Sequence, residues 1–104
     1  MSKLIKKISD LIEDQLDSAK DYAKCAVKYK DENPTLAKVM SDISADELHH
    51  VSLLHAEVLK AIEAHRKTEG EPPASMLAVY DYLHEKQIEK ANEVKHYQAL
   101  YKGG

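Results

Sequence analysis

The chain has 104 residues, 43% hydrophobic and 32% charged, with a formal net charge of -3 and both signs interspersed throughout. That length fits one domain with a modest core, and the charge balance excludes the basic footprint of a nucleic-acid binder or a membrane-surface helix. A lone cysteine, Cys25, leaves no internal disulfide and no thiolate zinc site, and no apolar run approaches a membrane span or signal peptide, so a soluble cytoplasmic protein is expected.

From about Ser2 to Lys30, apolar residues recur at Ile5, Ile8, Ile12, Leu16, Ala19, Tyr22, Ala23 and Ala26 without Gly or Pro, the period of a long helix near residues 2 to 31. Asp31-Glu32-Asn33-Pro34 supplies a turn, with Asn33 suited to cap the next helix and Pro34 to open it. The second helix is predicted near residues 34 to 68, through Val39, Ile43, Leu54, Val58 and Ile62, and Gly70 suits the left-handed residue that ends it. Glu71-Pro72-Pro73 bars continuation. A third helix is predicted near residues 73 to 102, with Met76, Leu77, Tyr80, Leu83, Ile88, Ala91 and Val94 on one side, before Gly103-Gly104 frays.

No strand-like alternation competes, so the expectation is an all-α, antiparallel three-helix chain forming a single domain over residues 1 to 104. Its core is expected to hold Ile8, Ile12, Leu16, Ile43, Leu54, Val58, Tyr80, Ile88 and Ala91.

The second stripe is interrupted at its middle. Taking Leu36, Met40, Ile43, Leu54, Val58 and Ala61 as the seam, helical spacing puts Glu47 and His50 on it. Burying an ionised carboxylate costs roughly several kcal/mol unless a partner or metal compensates. Glu-x-x-His places both side chains one turn apart on one helix face, the spacing of inward-facing metal ligands in four-helix bundles. Counting outward from the first loop brings Gln15, at the centre of the helix-one stripe, to the same level; Glu13, Asp14 and Asp17 fall on its flanks. Counting from the second loop brings Lys95 there as a rival partner for Glu47. His84 and Gln87 lie on the inner side of helix three, where ordinary core hydrogen bonding is the leading reading and a role as further ligands or as hydrogen-bond partners of ligands is the alternative. His49 and His55 flank the stripe, His65 lies near a helix end, and the tyrosines at helical spacing read as packing groups. Glu93 and His96 share the spacing of Glu47 and His50 but fall on the opposite face of their helix. No hydrolase triad, phosphate loop or dinucleotide fingerprint is present.

The helix-one pattern, the Asn33-Pro34 turn and Glu47-Leu48-His49-His50 together resemble the first helical hairpin of the ferritin-like superfamily, in its rubrerythrin and encapsulated-ferritin branch, over roughly Leu4 to Leu59. The resemblance implies a di-iron site built from a helix-one glutamate and a helix-two Glu-x-x-His, completed by a two-fold repeat. Glu47 and His50 match that motif; the helix-one glutamate is replaced by Gln15, and no second hairpin follows. The implied protein is a homodimer in which the first two helices of each copy form a four-helix core. Two Glu47 and two His50 then suit one divalent ion per dimer, iron or zinc, with weak or absent ferroxidase activity because the charge for a second iron is missing. The alternative is a metal-free helical dimerisation or interaction module that keeps the fold, with Glu47 held in a polar layer that sets helix register.

Overall fold

The structure, a computed structural model, describes residues 3–103. It consists of three helices, α1 (Lys3–Tyr29), α2 (Pro34–Glu69) and α3 (Ala74–Tyr101), with no strand among the described residues. The expected helix start near Ser2 and the fraying of Gly104 lie outside those residues. Gly103 closes a turn, its N–H donating to the Leu100 carbonyl.

The helix ends follow from local chemistry. The Asn33 side chain accepts from the Leu36 N–H at 3.2 Å, and Pro34 takes the first helical position, where its missing N–H is no loss. At the other end of α2, Gly70 adopts a φ of +83°, a conformation that strains an L side chain, and its N–H reaches the Arg66 carbonyl.

Contacts between helices fix their directions. Ser18 meets Glu47 and Ala19 meets Ser44, so α1 and α2 run in opposite senses. Ser9 meets Gln87, Glu13 meets Lys90 and Lys20 meets Glu93, so α1 and α3 run in the same sense. The result is a rod of 55 × 18 × 18 Å, whose long axis matches about 54 Å for the 36 residues of α2. α2 is thus longer than its 27- and 28-residue neighbours, in line with the longer span expected for it. Past the start of α1 it overhangs a groove of about 600 Å³ bordered by Leu4, Ile62, His65, Met76 and Tyr80.

α1 is the central element. Its inner face carries Ile5, Ile8, Ile12 and Leu16 and then narrows to Ala19, Ala23 and Ala26 toward the first loop, all buried. The small residues bring α2 close enough for the Ser44 hydroxyl to reach the backbone oxygen of Ala19 at 2.7 Å. α3 leans mainly on α1 and touches α2 lightly, through Gln98 with Ser44 and through stacked His55 and His84.

Four of the expected core residues, Ile8, Ile12, Leu16 and Val58, are buried, and Ile43, Leu54, Tyr80 and Ala91 are half-buried. Ile88 is 47% exposed; the inward positions of α3 belong to Gln87 and Val94. The α2 seam is also rotated from the one expected: its buried residues are Ala37, Ser41, Ser44, Val58 and Ile62. Serines reading as polar occupy the centre, because their hydroxyls bond across the helices or fit where larger groups do not, while Leu36, Met40, Ile43, Leu54 and Ala61 form a half-covered or exposed flank.

Candidate metal site

Glu47 lies on α2 between the buried seam and that flank. One carboxylate oxygen, Oε1, accepts a hydrogen bond from Ser18 Oγ of α1 at 3.0 Å. The other, Oε2, is buried and has no hydrogen-bond partner among the described residues. Gln15, three residues before Ser18 and so one turn away on the same side of α1, is half-buried, and its Oε1 is likewise buried without a partner. Two buried acceptor oxygens, one on α1 and one on α2, therefore have no donor among the described residues. Each such oxygen costs roughly 1–3 kcal/mol if left unmet.

The side of the bundle on which this happens follows from helix geometry. Ser9, Glu13, Asp17 and Lys20 direct α1 toward α3. At about 100° per residue, Leu11, Gln15 and Ser18 fall on the opposite side of α1. On α2, Ser44 and His55 meet α3, and Leu36, Ile43, Glu47, His50 and Leu54 fall about a quarter-turn away. The hairpin face away from α3 thus combines apolar residues with Gln15, Ser18, Glu47 and His50. Leu11 and Leu36 are exposed there.

His50 does not point into the bundle. It is exposed, one turn beyond Glu47, with its ring centroid 6.5 Å from that of His49. The inward placement expected for it fails because the bulky residues of α2 do not line the seam; the buried line through Ser41 and Ser44 turns His50 onto the outer flank. Lys95 is exposed too, and the partner that Glu47 has is Ser18, which nothing in the sequence pattern marks out. Glu13 and Asp17 both accept from Lys90 Nζ, at 2.7 and 3.0 Å, and those bonds hold the lysine above its ordinary pKa. Glu93 is bound by Lys20 at 2.6 Å, which lowers the pKa of the carboxyl and raises that of the amine.

The other candidates are drawn elsewhere. Gln87 is buried and donates to Ser9 Oγ at 2.9 Å, a structural tie between α3 and α1. His84 stacks on His55 with centroids 4.7 Å apart and on Tyr80 at 5.9 Å, and its Nδ1 is buried without a partner among the described residues. Burial first, and then the neighbouring His84, lower the pKa of His55. Neither His84 nor Gln87 joins Glu47 in a common cluster, and among the described residues no group of three or more His, Cys, Asp or Glu side chains converges to hold an ion. No helix among them is long and apolar enough to cross a membrane. Comparisons with protein-family models, with characterised proteins and with solved structures find no match.

Proposed function

We propose that the protein is a cytoplasmic, metal-binding member of the ferritin-like class, acting as a homodimer that holds one divalent ion, iron or zinc, between two copies of the α1–α2 hairpin. The observation that carries this reading is the pair of unmet buried acceptors, Glu47 Oε2 and Gln15 Oε1. A cation bound at Glu47 neutralises the carboxylate, which a neutral donor does not. The residues fit in part: Glu47 and Gln15 offer oxygen ligands from one chain, and exposed His50 offers an imidazole from the flank a second copy would cover. The apolar groups on that flank support the dimer. Leu11, Leu36, Ile43 and Leu54 remain at least partly open in one chain, and a two-fold packing of hairpins gives them a partner.

The ion supplies charge at the seam and, if iron, a redox centre. With only Glu47 anionic in each copy, the site lacks the carboxylates that two irons need, so ferroxidase activity is weak or absent. A second reading draws on the Ser18–Glu47 hydrogen bond: Glu47 belongs to a metal-free polar layer that fixes register in a helical interaction module.

Elemental analysis of protein purified without chelator or histidine tag, followed by titration with Zn(II) and Fe(II), separates the two. The metal reading requires uptake that is lost in Glu47→Ala and weakened in His50→Ala. No uptake, with identical melting of both variants in the presence and absence of metal, leaves the module.

A further inference from the structure

We propose that the groove past the start of α1 is a binding site for a small amphipathic amine, whose apolar body lies between α2 and α3 and whose protonated head meets the Glu69 carboxylate. The site is independent of the metal reading above. Its origin is the unequal reach of the helices. Counting back 15 residues from Ser18, which meets Glu47, sets Lys3 level with Ile62; counting back 6 from Ser9, which meets Gln87, sets it level with Asp81. α2 runs on 7 residues from Ile62 to Glu69, and α3 begins 7 residues before Asp81 at Ala74, so both continue roughly 10 Å past the described start of α1.

That open track holds about 600 Å³, within the roughly 300–1,000 Å³ of small-molecule sites. Leu4 closes one end, Ile62 lines the α2 wall, and Met76, Leu77 and Tyr80 line the α3 wall. Leu4 keeps 61% of its surface open, so an apolar body in the groove removes from water surface that the fold leaves bare. The charge at the mouth selects the head. Glu69 is the one carboxylate that lines the groove, and no Lys or Arg lines it among the described residues. Its neighbours Glu63 and Glu71 are both matched by Arg66, at 3.5 and 3.3 Å. Glu69 has His65 Nδ1 at 3.5 Å, and a histidine balances that charge only when protonated. A carboxylate head meets Glu69 as a like charge with no lysine or arginine in the lining to offset it, and an alcohol forgoes the Coulombic attraction. A protonated amine gains that attraction and donates N–H groups to the carboxylate.

Calorimetric titration with decylamine, decanol and decanoate, which share a tail and differ in head, tests the assignment below their micellar concentrations. The expected result is saturable binding of one decylamine per chain, about two- to fivefold tighter than decanol, as suits a partly exposed ion pair, with decanoate weakest. Glu69→Gln brings the amine to the affinity of the alcohol. Glu32→Gln, which removes an equal charge from the exposed loop at the opposite end of the rod, leaves the preference in place. Ala64→Trp fills the groove from an exposed position, so it abolishes binding of all three ligands without disturbing the core. Absence of saturable decylamine binding, equal affinity for the three heads, or a preference that survives Glu69→Gln overturns the amine. Retained binding in Ala64→Trp overturns the groove as its site. A fall in chain number in Ala64→Trp, read by native mass spectrometry, assigns the groove to a second copy and also overturns the proposal. None of these outcomes decides whether Glu47 takes up metal, so the two readings fail separately.

Discussion

Ser44 Oγ donates to the backbone oxygen of Ala19 at 2.7 Å, and neither residue exposes any surface. The same hydroxyl accepts from Gln98 Nε2 at 3.0 Å, so one serine joins all three helices at one level. Ser44→Ala removes that junction and leaves the Gln98 amide without its acceptor, at a cost of about 1–3 kcal/mol. Ser44→Leu, which supplies the apolar residue a simple seam would carry, forces α2 off the alanine stripe of α1 and costs about as much or more through overpacking. Urea unfolding followed by circular dichroism checks both: the midpoint falls in each variant, with little change in slope for alanine.

A second prediction concerns the polar edge between α1 and α3. Lys90 bridges Glu13 and Asp17 at 2.7 and 3.0 Å, yet it is partly open to solvent. Screening limits such a pair, so a double-mutant cycle of Lys90→Met with Glu13→Gln returns a coupling of about 0.5–1 kcal/mol that shrinks as salt is added. A coupling that is unchanged by salt contradicts the assignment.

The helices themselves were legible from the chain: Asn33-Pro34 and Gly70 mark real ends, and the unbroken period of Ile5, Ile8, Ile12 and Leu16 marks a real core. What misled was the weight given to bulk. Along α2 the large apolar residues lie on a flank and the small ones, Ala37, Ser41 and Ser44, at the centre, so the seam drawn through Leu36 and Ile43 carried His50 inward with it. In α3 the same weighting favoured Ile88 over Gln87, whose amide is buried because Ser9 satisfies it across 78 positions of sequence. A serine or glutamine whose partner lies on another helix looks like a surface residue until the helices are side by side. Glu47 is legible because a carboxylate within an apolar period is conspicuous; Ser18 is not, because a half-buried serine carries no such contrast.

The stacked pair of His55 and His84 predicts a pH dependence. Burial and the adjacent ring hold the folded-state pKa of His55 below the unfolded value of about 6.5. The unfolded chain therefore binds more protons in the window between the folded pKa and about 6.5, and stability rises with pH across it. The contribution is fully present above about pH 6.5 and is lost as pH falls toward the folded pKa. His55→Phe keeps an aromatic ring against His84 and removes this titration, so unfolding midpoints of the variant and the unaltered protein, compared above and below about pH 6.5, show a smaller loss for the variant at the lower pH.

Gln15→Glu addresses the missing charge. It places a second carboxylate in each copy where an unmet amide oxygen now sits, and so supplies four anionic groups per dimer against two divalent ions. Iron stoichiometry is expected to rise toward two per dimer and iron oxidation to quicken. Without metal, the substitution destabilises the fold, because it places a charge where a buried, unmet amide oxygen now sits. Melting in the presence and absence of Fe(II) should therefore diverge more for this variant than for the unaltered protein.

Mass spectrometry under native conditions reads chain number and metal content at once. For protein loaded with Zn(II) or anaerobic Fe(II), the account predicts a dimer carrying one ion, which reverts toward metal-free species in Glu47→Ala. A metal-free monomer at high protein concentration contradicts both the dimer and the site. A dimer of the unaltered protein carrying two irons contradicts the charge argument, and requires an acid such as Asp14 to turn inward in place of Gln15.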